Sequence, residues 1–415
     1  MLSQEFNKLI YDYRVVIFLL FCLTTQVISW RMWLRLQKGK VARRIIHMAF
    51  VIFNLGWFFT VGTLYYGGNL TDFTWLWIGR PSVSWQVVYI FGILPLAVAG
   101  SLIWGICGRI KKRKQGPAFN EKRRNFLKAA GGTAGALAIL GTCGYGVIRQ
   151  SLPPNIKRHN LSIKGLPAVL DGFTIAHITD LHLGLWASQA ELYQAFRLVA
   201  AQKPDLVAFT GDQVDRSADN AKLYYRPLEY LNKVPHGVWG VLGNHDHYTG
   251  APLRVAKYLT EGGLTILVDR QVNLPNLPIS LIGLDDQGIH HSWMGGGPSF
   301  DAKDDPDVLN FDLVAGPAPR PEDFTILLNH RPEGFAQAAA RGCRLYLAGH
   351  THGGQYQVPF KDQMNLAAAF YKYSSGLYHE HDAWLNVSPG IAAVGVPFRL
   401  WAWPEISIIT LNRLN

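Results

Sequence analysis

Cysteine is scarce, with four residues in 415. Cys22, Cys107 and Cys143 stand in apolar segments and Cys343 is alone in the remainder. Residues 151–415 therefore hold no pair for an internal disulfide, and no Cys-x-x-Cys spacing exists for a thiolate metal site. Acidic side chains are nearly missing from the first 150 positions, which carry 4 Asp/Glu against 19 Lys/Arg; residues 151–415 carry 25 against 21. The basic balance of the chain belongs to its front, so a nucleic-acid-binding reading loses its electrostatic footing. Histidine is distributed the other way: His47 alone lies in front and 13 follow residue 150. Any metal held by the back part has nitrogen and oxygen donors.

What the front contains instead is apolar runs. Val15–Trp30 is almost uninterruptedly apolar, and Ile45–Tyr66 and Val87–Cys107 contain no Lys, Arg, Asp or Glu. Ala129–Val147 is a fourth, Gly/Ala-rich run. A bilayer core takes about 20 apolar residues in a helix, so residues 1–150 read as a membrane domain of four spans. The links around Arg31–Arg44 and Arg109–Arg124 are strongly basic, whereas 69–84 holds only Asp72 and Arg80. The positive-inside rule puts the basic links in the cytoplasm and everything after the fourth span outside. Arg123-Arg124-Asn125-Phe126-Leu127-Lys128 resembles a bacterial twin-arginine export signal, with Lys122 where Ser or Thr is usual; an ordinary positive-inside cluster remains the alternative. No span carries a central charge, which disfavours a transporter or channel. The expected location is a bacterial inner membrane, multi-pass, with the back domain on the periplasmic side.

After a polar linker (151–169), residues 170–415 alternate short apolar runs with amphipathic stretches. Phe173–Thr179, Leu206–Thr210, Val238–Leu242, Ile279–Leu284, Phe324–Leu328, Leu345–Ala348 and Ile406–Leu411 read as strands, and 188–201, 218–231, 252–261 and 334–340 as helices. The pattern is that of a layered α/β domain, its sheets buried on both faces. Residues 286–322, with His290, His291 and Trp293, form a long Gly/Asp/Pro-rich interruption, the composition of a lid or binding loop.

Five apolar runs end in turns loaded with ligand-type residues: Asp180-Leu181-His182, Gly211-Asp212-Gln213-Val214-Asp215, Gly243-Asn244-His245-Asp246, Asn329-His330 and Gly349-His350-Thr351-His352. Singly each has a bland explanation: a cap, an Asx turn, a hydrogen-bonded core histidine. At the carboxyl edge of a sheet, where ligands bind in α/β folds, they supply three carboxylates or amides and four imidazoles in one place. That is enough for two cations sharing one bridging carboxylate, and without thiolate the set suits Mn, Fe or Zn.

In order and spacing these five blocks resemble the calcineurin-like metallophosphoesterase superfamily, and the longer block Gly349–Gln355 with Val387-Ser388-Pro389-Gly390 and Pro397-Phe398-Arg399-Leu400 resembles its bacterial membrane-associated branch, some members of which are exported by twin-arginine signals. The resemblance implies a layered β-sandwich flanked by helices and a binuclear centre. Asp180, His182 and His352 would bind one metal, and Asn244, His330 and His350 the other, with Asp212 bridging. His245 would be the catalytic group beside the scissile phosphate. Asp215 and Asp246 would support from behind, Asp246 orienting His245. Gly353 and Gly354 read as backbone room for a phosphate. The activity implied is a membrane-tethered hydrolysis of phosphodiesters or phosphomonoesters by a hydroxide bridging the metals, with a phospholipid or lipid-linked phosphate as a candidate substrate and residues 286–322 reaching toward the bilayer. The alternative is a non-catalytic metal-containing membrane sensor or scaffold, a reading that retention of all seven ligand positions and His245 disfavours.

Overall fold

In the computed structural model the described residues are 152–184, 186–286, 314–317, 319–395 and 398–414, helix α1 (Lys40–Tyr65), and scattered positions elsewhere in the first 150. Most of the expected first, third and fourth spans, the Arg123-Arg124 signal and residues 287–313 of the interruption lie outside them. The chain divides into two compact units, 1–148 with 396–398, and 149–395 with 399–415.

In the first unit α1 covers the expected second run. It has 26 residues, and among the described residues no helix is long and apolar enough to cross a membrane. Val41, Met48, Ile52, Leu55 and Phe59 are exposed, while Asn54, Trp57 and Thr60 are buried. At 3.6 residues per turn those five exposed side chains fall on one stripe, so α1 wears an apolar face outward while Asn54 and Thr60 turn inward. Asn54 Nδ2 donates to Gln26 Oε1 at 3.0 Å and to the Phe50 carbonyl at 2.8 Å.

The second unit is built from two six-stranded sheets. The first orders β1 (Asn155–Lys164), β14 (Glu405–Leu414), β2 (Thr174–Ile178), β3 (Leu206–Thr210), β4 (Val238–Val241) and β5 (Thr265–Ile266). The second orders β12 (Gly376–Glu380), β13 (Ala383–Val387), β9 (Leu345–Ala348), β8 (Phe324–Leu328), β7 (Ile279–Gly283) and β6 (Arg270–Asn273). Strands β2, β3 and β4 run parallel, as do β7, β8 and β9, so each sheet gathers its carboxyl ends at one edge. A small hairpin, β10 (Gln357–Val358) and β11 (Lys361–Asn365), stands apart.

Period-two alternation explains the layering. In β3, Leu206 and Ala208 face the core between the sheets, where they meet Ile326, Leu328, Leu345 and Leu347 of the second sheet. Val207 and Phe209 face the opposite way, against Leu192, Phe196 and Val199 of α2 (Gln189–Gln202). In β9, Tyr346 and Ala348 turn outward onto Phe335 and Ala338 of α5 (Phe335–Ala340), the last helix after α3 (Asn244–Tyr248) and α4 (Pro252–Glu261). The result is helices, sheet, sheet, helices, with strands apolar on both faces as buried parallel strands require. Helix α2 starts where Ser188 and Glu191 form a capping box.

Three local expectations differ. The polar stretch Asn155–Lys164 is not linker but the edge strand β1, paired parallel with β14 along its length. Exposed Arg158, Asn160, Ser162 and Lys164 alternate with buried His159, Leu161 and Ile163, which is the pattern of a half-buried edge. Residues 218–231 are not one α-helix but 3-10, α and 3-10 turns in succession around Pro227, which has no N–H to donate. Strands β12 and β13 were not expected.

Candidate metal centre

All seven expected ligands follow the carboxyl ends of central strands, but they come from two sheets. Asp180 and His182 follow β2, Asp212 follows β3 and Asn244 opens α3 after β4; His330 follows β8, and His350 and His352 follow β9. The seam between the sheets is therefore where the cluster forms. Asp180, His182, Asp212, His350 and His352 all have φ between 47° and 70°, a left-handed conformation that costs side-chain-bearing residues free energy. Strain concentrated on adjacent ligand-type residues marks a functional constellation.

Close approach of backbones also matters. A Cβ on Gly349 would lie 2.8 Å from Thr179 Cγ2 and press on the Asp180 carboxylate, so any side chain here would displace the ligand turn. Gly353 and Gly354 do not line an open cradle as expected. Both have positive φ (55° and 58°), and Gly354 packs against Leu366 and Ala367 while Gly353 faces Ser375, Pro389 and Ala402. They serve the turn and its close packing.

The first set of donors is Asp180 Oδ1, His182 Nε2, Asp212 Oδ2 and His352 Nε2. His182 Nε2 lies 3.2 Å from His352 Nε2 and 3.4 Å from Asp212 Oδ2, and His352 Nε2 lies 3.3 Å from Asp180 Oδ1. The second is Asp212 Oδ2, Asn244 Oδ1, His330 Nε2 and His350 Nδ1, with His330 Nε2 at 3.2, 3.1 and 3.2 Å from the other three. Donors bound about 2.1 Å from one cation stand roughly 3.0–3.5 Å apart, so both spacings fit an ion. Asp180 Oδ1 is buried and has no hydrogen bond among the described residues, an orphan that a cation satisfies. The residues present therefore fit the divalent metals that such donors take.

Behind the ligands, backbone and carboxylate oxygens fix which ring nitrogen is presented. His330 Nδ1 donates to the Thr210 carbonyl (2.8 Å) and His352 Nδ1 to the Ala392 carbonyl (3.0 Å), which leaves both Nε2 atoms facing the cluster. Asp215 takes His182 Nδ1 on Oδ2 (3.1 Å) and His245 Nδ1 on Oδ1 (2.6 Å). Asp215 thus holds His245, the role expected of Asp246. The Asp246 carboxylate instead accepts from the backbone N–H groups of Gly243, Gln213 and Val214, tying the turn after β3 to the one after β4. His245 is partly exposed beside the cluster, its ring edge-on to His182 at 4.5 Å and its backbone N–H donating to Asp212 Oδ1 at 2.8 Å.

Several partners carried no sequence signal of their own. Arg331 Nη1 donates to His350 Nε2 at 2.8 Å and its Nε to Asp286 at 2.7 Å, while the Tyr371 hydroxyl lies 3.3 Å from the same Nε2. With a cation on Nδ1 the His350 proton stands on Nε2, where Tyr371 can accept it and the guanidinium cannot. Fully buried Arg399, from the Pro397–Leu400 block, donates to the carbonyls of Pro389 (2.7 Å) and Ala402 (2.9 Å) and stands behind His352.

From the protein's own charges, burial works against ionisation throughout the cluster. It is outweighed at Asp180 by His352 and His182, and at Asp212 by His330, His245 and His182; both carboxyls lie below their usual range. The Asp212 carboxylate, with further help from Asp180, raises His182 well above its ordinary value and His330 to about 9 despite burial. His352 is lowered to about 3 by burial, which Asp180 only partly offsets, and His350 is lowered by burial together with Arg331 and His330. Protons on His182 and His330 thus mark where the carboxylates demand positive charge. Burial and the neighbouring Asp212 push Asp246 up to about 7.

The calcineurin-like phosphoesterase family matches residues 173–354, which contain all seven donors. An uncharacterized metallophosphoesterase of Bacillus subtilis (strain 168), YkuE, is 30% identical over 302 residues, covering 71% of this chain and 98% of that protein. The chain belongs to the calcineurin-like metallophosphoesterases. As a member it is a metal-dependent phosphohydrolase, and its buried Asp180, His182, Asp212 and His352 form a metal-binding cluster. A Danio rerio protein described as a transmembrane protein with metallophosphoesterase domain is 27% identical over 350 residues, covering 81% of this chain and 74% of its own. Among solved structures, the NAD nucleotidase of Haemophilus influenzae is similar with a TM-score of 0.33 and 15% identity, over 53% of this chain and 46% of that one. The chain thus spans less than half of that nucleotidase.

Proposed function

We propose that this metallophosphoesterase holds two divalent cations, Mn, Fe or Zn, and hydrolyses phosphodiesters or phosphomonoesters while tethered to a membrane. The observation that carries the binuclear reading is the position of Asp212 Oδ2, within 3.4 Å of His182 Nε2 in one donor set and 3.2 Å of His330 Nε2 in the other. Such cations, when bound, polarise a phosphoryl oxygen and acidify water. The chain's own part is position and protons. Asp215 accepts from His245 Nδ1 and so orients the ring; when doubly protonated, the ring's Nε2–H can stabilise charge or donate to a leaving oxygen. Arg331, anchored by Asp286, sets a guanidinium at the mouth beside His350, suited to a phosphoryl oxygen.

The tether is supported by the charge-free runs of the front part, the outward apolar stripe of α1 and the name of the Danio rerio relative. The basic links favour a bacterial inner membrane with the phosphoesterase domain on the periplasmic side, and a tethered enzyme favours a phospholipid or lipid-linked phosphate. The full chain in lipid nanodiscs with Mn²⁺ tests the activity: it should hydrolyse bis-p-nitrophenyl phosphate, lose this with EDTA, and act on phospholipid of the disc. No hydrolysis of any phosphoester with any of the three metals would refute catalysis. Resistance of residues 151–415 to protease added outside intact spheroplasts would refute the topology.

A further inference from the structure

The turn that carries His350 and His352 runs directly into the hairpin β10–β11, and the two form one packed piece. Leu366 N–H donates to the Tyr356 carbonyl at 2.9 Å, and Gln357 N–H to the Leu400 carbonyl at 2.9 Å. The surface of this piece is unusual. Phe360 is fully exposed at the hairpin tip, Phe370 is 78% exposed, and Val358, Met364, Leu366 and Trp401 are exposed around them. Soluble surfaces carry single exposed apolar residues routinely, but so many exposed on one short stretch of chain mark an interaction site.

The backbone strengthens the point. Pro359 and Phe360 form the two central residues of a turn whose second position has φ of 62°. That position favours glycine or asparagine. Here the chain places a phenylalanine there, in a left-handed conformation, and leaves its ring without packing. Among the described residues no packing of the ring offsets that cost, which points to a contact outside the fold. Lys361 follows it and has no carboxylate within ion-pair distance among the described residues, while Lys372 lies beyond Phe370, exposed beside Glu380. A protruding aromatic with a lysine next to it is the pattern of an interfacial anchor, in which the ring enters the acyl boundary and the ammonium meets anionic headgroups.

We infer that the β10–β11 hairpin with Phe360 at its tip is a bilayer-docking element, which seats the metal centre against a lipid surface containing anionic headgroups. This rests on the membrane-tethered reading above. The hairpin adds a second attachment, within the phosphoesterase domain and continuous with the His350–His352 turn, and the Tyr371 hydroxyl beside His350 ends the same segment.

The test uses the full chain in nanodiscs of equal phosphatidylcholine and phosphatidylglycerol, with an environment-sensitive fluorophore on Phe360→Cys and nitroxide groups on the lipid acyl chains. Emission at 360 should shift to the blue and be lost to the nitroxide, while the same label on Lys257→Cys, exposed on α4, keeps its emission. Phe360→Asp should abolish quenching of a label on Met364→Cys and leave hydrolysis of bis-p-nitrophenyl phosphate unchanged, which shows the fold intact. An unquenched label at 360 would overturn the inference. So would energy transfer at 360 between two copies, or cross-linking of 360 to residues 287–313, since each names a different occupant. Should the full chain prove soluble without detergent, the tethered reading falls by itself. The label at 360 is then read with vesicles of the same composition added, and absence of quenching again overturns the docking element.

Discussion

Asp215→Asn is the sharpest perturbation of the site, because it changes one proton acceptor and almost no volume. The carboxylate accepts from two imidazoles at once, His182 Nδ1 at 3.1 Å and His245 Nδ1 at 2.6 Å. An amide has one acceptor oxygen and an NH₂ that only donates. One of the two rings therefore faces a donor and must move its own proton to Nε2. If His182 does so, the nitrogen that faces Asp212 and His352 is no longer a ligand. If His245 does so, its tautomer at the substrate side is reversed. Loss of such a supporting carboxylate costs about 10–100-fold in metal affinity or activity, roughly 1.4–2.8 kcal/mol. Burial opposes ionisation of Asp215, but the hydrogen bonds from His182 and His245 hold it down to about 2. The support is thus present above the ordinary carboxylate range and is lost only as pH falls toward 2. Metal titration by calorimetry beside steady-state kinetics separates the two branches: weakened metal binding identifies His182 as the flipped ring, and slowed turnover with unchanged metal identifies His245. Asp215→Asn with wild-type metal affinity and wild-type kcat/KM would refute the reasoning.

Other expectations follow from the same geometry. His245→Ala should keep its metal content and lose about 10²–10⁴ in kcat, since the ring is beside the cluster and its backbone N–H to Asp212 survives; loss of metal in that variant would contradict the assignment. Gly349→Ala should fold but bind metal weakly, because its Cβ would press on Thr179 and Asp180; wild-type affinity by calorimetry would count against it. Metal binding should release protons from His182 and His330, both raised above the ordinary imidazole value by Asp212. The sign is that affinity rises with pH through neutrality and levels off once His330 is past about 9. Calorimetry in buffers of different ionisation enthalpy reads the proton count, and a count of zero at neutral pH would exclude the linkage.

Much of this was legible from residues alone, for a physical reason. Leu206–Thr210, Phe324–Leu328 and Leu345–Ala348 sit between two apolar layers, so they read as continuous apolar runs and coincide with β3, β8 and β9. Each ends where the chain needs polar atoms, which put Asp212, His330 and His350 in plain view. The edge strand β1 was hidden because its outward positions are Arg158, Asn160, Ser162 and Lys164, the charges and polar groups that protect a sheet edge. Asp246, next to His245, was expected to orient it, and Asp215 only to support the ligands from behind; the His245 contact belongs to Asp215. In the fold α3 turns the Asp246 carboxylate away, under three backbone N–H groups. Arg331 gains its place beside His350 only from the fold, and Arg399, visible in the Pro397–Leu400 block, gains its partners only where the loops around Pro389 and Ala402 meet it.

The central claim is that one carboxylate, Asp212, serves two ion sites at the seam of two sheets. Metal content per chain by inductively coupled plasma mass spectrometry, wild type against Asp212→Asn, tests it most directly. The account predicts two divalent ions in the wild type after loading with Mn²⁺ and neither held tightly in the variant. A single ion in the wild type, or a variant that keeps both, would contradict it.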